Sequence, residues 1–122
     1  MNARKAKHLH RQRQEKAARV LAEARQAEPE LLEAHDTFEL WRRGRATFLL
    51  PVIADDLPDE LKQALAAYRT AVLDGSCPLC PVSTEVSRKG LVTTRHDGQC
   101  PAHPDRLVEL GERLGVEIQR RT

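Results

Sequence analysis

The spacing of apolar positions changes along the chain and divides it into segments. Residues 3–27 contain no Gly or Pro and are dominated by Ala, Arg, Gln, Glu and Lys, all strong helix formers. An apolar stripe begins only at Ala17 and continues through Val20, Leu21, Ala24 and Ala27; between residues 4 and 16 only Ala6 and Leu9 are apolar. The pattern predicts a helix whose second half packs and whose first half projects into solvent or onto a partner. After Pro29, the residues Leu31, Ala34, Phe38 and Trp41 recur three and four apart. That spacing predicts a second helix over 30–43, antiparallel to the first and ended by Gly44. Arg42, Arg43 and Arg45 cluster at this end, where cations suit a helix C-terminus as well as they would a phosphate. The stretch 46–54 is short and apolar, a strand or a buried connector, and Pro51 argues against a central strand. Acids and a proline over 55–60 mark the start of a third helix, 57–73, with Leu57, Leu61, Leu65, Tyr68 and Val72 on its buried face. Asp74-Gly75 ends it.

The remainder reads differently. Thr84 and Val86 begin one strand, Leu91–Thr94 form another, and Arg88-Lys89-Gly90 provides the turn between them. Pro104-Asp105 opens a last helix with Leu107, Leu110, Leu114 and Ile118 on one face, weakened by Gly111 and Gly115. The expected fold is therefore an α-rich α+β arrangement. It has three N-terminal helices, then a β-hairpin and a C-terminal helix. The expected organisation is a basic helical arm (1–27), a helical region (28–75) and a hairpin-helix module (76–122).

Composition narrows the function classes. Only four of the 122 residues are aromatic: Phe38, Trp41, Phe48 and Tyr68. A core with so few rings is thin, which disfavours a large cofactor cleft. No run approaches the ~20 apolar residues of a membrane helix. The basic N-terminus has no apolar segment behind it, so it does not read as a secretory signal. The expected location is the cytoplasm, with no membrane partner. The net charge of +2 hides an asymmetry: residues 1–27 carry eight basic and two acidic groups, while the rest of the chain is mildly acidic. A basic arm of this kind attracts phosphate polyanions, or equally an acidic protein surface.

The strongest chemical signal is Cys77-Pro78-Leu79-Cys80 followed, 19 residues later, by Cys100-Pro101-Ala102-His103. All three cysteines of the chain fall in this C-x2-C-x19-C-x2-H pattern. Each two-residue gap lets a tight turn aim two ligands at one ion, as a tetrahedral zinc site requires. His96, four residues before Cys100, is the spare candidate for the fourth position. Two other readings stay open: a Cys77–Cys80 redox pair, and three small core cysteines without metal. The order of knuckle, hairpin and second ligand pair at a helix start resembles a treble-clef zinc finger, with the zinc ribbon as a near relative, over residues 76–118. That resemblance implies one structural zinc held by Cys77, Cys80, Cys100 and His103, so that 76–122 is expected to be a zinc-binding module with a zinc-stapled β-hairpin. It departs from the family at Pro81, which offers no N–H to a thiolate where such knuckles often carry Gly.

Enzymatic readings lack their parts. Some treble-clef proteins are His-Asn-His nucleases, but the only Asn here is Asn2. No His-x-Glu triplet, Gly-rich phosphate loop or G-x-S-x-G motif occurs. Four protein ligands would leave zinc no open position for water. The chain is therefore expected to be a non-enzymatic DNA-binding or otherwise nucleic-acid-associated regulatory protein. Arg4, Lys5, Lys7, Arg11, Arg13, Arg88 and Lys89 are its candidate phosphate contacts. The alternative is a zinc-stapled interaction adaptor or homodimer, with Trp41 as a candidate anchor if it is not a core residue.

Overall fold

The computed structural model describes residues 3–118, with side chains from residue 5 onward. The elements in order are α1 (Ala3–Gln26), β1 (Glu30–Ala34), β2 (Phe38–Arg43), β3 (Ala46–Pro51), α2 (Asp59–Asp74), β4 (Ser83–Val86), β5 (Leu91–Arg95) and α3 (Pro104–Leu114). The strands form one mixed five-stranded sheet in the order β1-β2-β3-β5-β4. β1, β2 and β3 are an antiparallel meander, β3 and β5 run parallel, and β4 pairs antiparallel with β5.

This arrangement overturns the three-helix N-terminal region. The segment expected as a helix over 30–43 is two strands. Its three- and four-residue apolar spacing spans a turn at 35–37 and mixes side chains from both sheet faces. In the β2–β3 register, Phe38 and Leu40 pair with Pro51 and Leu49, whereas Trp41 pairs with Phe48. Apolar residues on both faces of β2 erase the period of two that would have marked a strand. Gly44 is not a helix terminator but the first residue of a two-residue hairpin loop between the Arg43–Ala46 pair, at φ +58°. Positive φ serves a helix end and a type II′-like hairpin alike, so glycine alone does not separate them.

β3 is the middle strand despite Pro51. Its parallel pairing with β5 covers only Thr47 and Phe48, so Pro51 lies beyond the point where β5 would require its N–H. Along β3 the buried residues alternate: Ala46, Phe48 and Leu50 point to one face. That face packs on Val20 and Ala24 of α1 and Val72 of α2, with Val92 beside Phe48. Phe48 and Leu50 are almost wholly excluded from solvent, each burial worth about 1.5–3 kcal/mol. A second cluster joins Leu61, Ala64 and Leu65 of α2 to Leu107 and Leu110 of α3. The hairpin over 83–95 forms as read from the sequence, but β5 joins the main sheet through β3 instead of standing apart. Helices α2 and α3 occur where expected and end at Gly75 and Gly115, but α2 begins at Asp59 and α3 stops at Leu114, so Leu57 and Ile118, expected on their faces, lie outside them. Among the described residues no helix is long and apolar enough to cross a membrane.

The arginine cluster at 42–45 is structural. The Arg43 guanidinium donates to the carbonyls of Arg25, Ala27 and Leu73 at 3.2, 3.0 and 3.1 Å. It thus satisfies carbonyls at the C-terminal ends of α1 and α2, where a cation also meets the negative ends of both helix dipoles. Arg42 pairs with Glu30 and Arg45 with Glu23, both at 2.8 Å. Trp41 flanks the sheet core, with Nε1 donating to Glu39.

Candidate metal centre

Four side chains converge where α2, the hairpin and α3 meet. The Cys77–Cys80 turn follows directly on the end of α2. His96 follows the last residue of β5, and Cys100 closes a tight turn before α3. That turn is fixed locally: Gln99 N–H donates to the Asp97 carboxylate at 2.9 Å, and Cys100 N–H to the Asp97 carbonyl at 3.0 Å. Cys100 and Ala102 pack against Ala67 of α2, with Tyr68, Cys77 and Cys80 alongside.

One ligand atom from each of Cys77, Cys80, His96 and Cys100 lies within 4.8 Å of every other, a group that could hold a metal ion. The shortest separations match a tetrahedron. Metal–sulfur bonds of about 2.3 Å and metal–nitrogen bonds of about 2.0–2.1 Å put two sulfurs about 3.8 Å apart and a sulfur and nitrogen about 3.6 Å apart. Cys77 Sγ and Cys100 Sγ are 3.8 Å apart. His96 Nδ1 is 3.6 Å from Cys80 Sγ and 3.8 Å from Cys100 Sγ. Two backbone groups donate to sulfur at 3.4 Å, Leu79 N–H to Cys77 and Ala102 N–H to Cys100. Each donor lies two residues after its cysteine, so the proline at 81 takes no part in them.

Three of the four ligand positions read from the sequence, Cys77, Cys80 and Cys100, are therefore together, and the group is completed by His96, the spare candidate, with His103 outside it. His103 is the N-cap of α3, and its Nδ1 accepts the Asp105 N–H at 3.1 Å. In this arrangement Nδ1 of His103 serves that orphan donor instead of the cluster. The mirror symmetry of C-x2-C and C-x2-H suggested His103. The competing signal was His96-Asp97-Gly98 at the end of a strand, a turn that returns the chain to Cys100.

Burial sets the electrostatics. The Cys100 thiol is pushed up to about 11, chiefly by burial and further by the adjoining Cys80 and Cys77, with the Ala102 N–H acting in the opposite direction. His96 is lowered by burial and by nearby His103, which favours neutral imidazole. Its ring stacks on Tyr68 with centroids 5.9 Å apart. Nε2 is buried without a hydrogen-bond partner among the described residues, so packing, rather than a hydrogen bond at Nε2, orients the ring. A divalent cation among these groups would reverse the thiol preference, because metal binding releases the thiol protons.

The candidate phosphate contacts occupy two places. Lys5, Lys7, Arg11 and Arg13 lie on the first half of α1, which is exposed from residue 5 to 16 apart from half-buried Leu9. The Arg4 side chain is outside the described residues. Arg88 and Lys89 form the exposed tip of the β4–β5 hairpin. Arg13 is brought beside them across a groove that Lys16 also lines; Lys16 was not among the sequence candidates. Comparison with protein-family models, curated proteins and solved structures finds no match to this chain.

Proposed function

We propose that this chain is a small nucleic-acid-associated protein in which a structural zinc staples the hairpin to the helices and α1 serves as a phosphate-binding arm. Three sulfurs and one imidazole within 4.8 Å of one another are a donor set that suits zinc. With four protein donors the ion would have no open position for water, which supports a binding role over catalysis. The observation carrying the nucleic-acid reading is the exposed half of α1. Between residues 5 and 16 it bears Lys5, Lys7, Arg11, Arg13 and Lys16 against a single acid, Glu15. An exposed basic helix of this kind suits a polyanion, whose counterions it would release on binding.

The test is polynucleotide binding across a salt series, for the wild type and a Lys5→Gln/Lys7→Gln/Arg11→Gln variant. The reading expects affinity to fall steeply with salt, and the variant's log–log slope to be shallower by about three. Binding indifferent to both salt and substitution would reject it. A second reading, an interaction adaptor or homodimer, is favoured by β1. This edge strand is exposed along its whole length and shows Leu31 and Leu32 at 45% and 39% exposure. Leu31→Lys should abolish a dimer seen by sedimentation if that reading holds.

A further inference from the structure

The groove between α1 and the hairpin tip has a volume of about 520 Å³. Arg13 and Lys16 line one wall; Arg88 and Lys89 line the other. None of these four forms an ion pair among the described residues. Arg45 also lines the groove, but its guanidinium is held by Glu23 through two bonds of 2.8 and 2.9 Å. Among the described residues no aromatic side chain lines the groove, so it offers cations without a stacking platform, the opposite of a single-strand binder. The tip is held in place from below: the Gly90 carbonyl accepts the Thr47 N–H at 2.9 Å. The second wall is therefore fixed to the sheet and not to a mobile loop.

Resting on the nucleic-acid reading above, we infer that this groove straddles one sugar-phosphate strand of B-form duplex DNA. The exposed half of α1 then lies in the adjoining major groove. The sizes agree. Residues 3–16 of α1 extend about 21 Å at 1.5 Å per residue, and a helix about 10–12 Å across fits a major groove about 12 Å wide. The two basic walls take phosphates of the same strand from opposite sides, so affinity comes from the backbone. Any base preference comes from the helix. An A-form RNA duplex, whose major groove is deep and narrow, excludes the helix.

The experiment measures binding of the zinc-loaded full chain to a DNA duplex, the RNA duplex of the same sequence and the DNA single strand. Arg88→Gln/Lys89→Gln and Arg13→Gln/Lys16→Gln are compared with wild type. All four side chains are exposed, and unchanged helicity and zinc content verify the fold. The expected result is at least tenfold preference for the DNA duplex. Each double variant should lose about tenfold in affinity and about two from the salt slope. Equal affinity for all three polymers, or a hairpin-tip variant that binds like wild type while Lys5→Gln/Lys7→Gln/Arg11→Gln weakens binding, overturns the groove and leaves the nucleic-acid reading standing. Failure to bind any polymer at low salt overturns both.

Discussion

Cys77 and Cys100 are 23 residues apart in the chain, yet their sulfur atoms are 3.8 Å apart, the edge length of a tetrahedral metal–thiolate site. Nothing local forces that meeting. Cys77 is placed by the end of α2, and Cys100 by a turn hung between β5 and α3. The two come together because β5 pairs with β3 while α2 packs across the same strands. The candidate metal site therefore reports on the tertiary fold as a whole, and the fold's other junctions can be tested separately.

His103 tests the division of labour between the two histidines. As the N-cap of α3 it accepts the Asp105 N–H. His103→Ala should lower thermal stability by about 1 kcal/mol, the usual value of a cap. His103→Asn, which can cap equally well, should recover most of that loss in the same melting experiment.

Arg43 and Arg42 are neighbours with unlike expected effects. Arg43 serves three carbonyls at two helix ends and its side chain is only 14% exposed. Arg43→Ala should destabilise by on the order of 2–3 kcal/mol, because those acceptors lose a charged donor in a partly buried setting. Arg42 makes one exposed pair with Glu30, so Arg42→Ala should cost under about 1 kcal/mol. Urea denaturation of both variants would separate them.

Gly90 holds the hairpin tip against β3 at φ +86°, and a Cβ there would lie 2.6 Å from the Arg45 carbonyl oxygen. Both the backbone conformation and the contact oppose a side chain. Gly90→Ala should destabilise by about 1–3 kcal/mol. A melting temperature equal to wild type would mean that the tip is not seated on Arg45.

Tyr68, the single tyrosine, gives a clean alkaline titration. Burial raises its phenol above the usual range, so the folded state favours the neutral form. Its contribution to stability is complete below the unfolded value of about 10 and is lost as pH rises through the folded value. Phenolate absorbance should therefore appear later than in the urea-unfolded chain, together with loss of helicity. Titration matching the unfolded chain would place Tyr68 in solvent.

Much of the second half of the fold was legible in the sequence, and much of the first half was not. The 83–95 hairpin, α2 and α3 carry unambiguous punctuation: Gly90 in a tight turn, acids and Pro58 at a helix start, and glycines at both helix ends. In 30–51 the punctuation misled. Apolar residues occur on both faces of β2, so the segment shows neither clean period. Gly44 suited two different structures. The parallel pairing of β3 with β5 joins segments more than 40 residues apart, and no local pattern announces it. The three cysteines were legible from spacing. The fourth position was legible only as a choice between two histidines seven residues apart, His96 and His103, and the symmetry of the two short pairs favoured His103.

Cys77, Cys80, His96 and Cys100 are together the proposed holders of one metal ion. The most direct measurement is native mass spectrometry, with metal analysis, of wild type, His96→Ala and His103→Ala, each before and after chelator. The expected result is one zinc per chain in wild type and in His103→Ala, and its loss or marked weakening in His96→Ala. Zinc retained by His96→Ala and lost from His103→Ala, or a metal-free wild type with a Cys77–Cys80 disulfide, would contradict it.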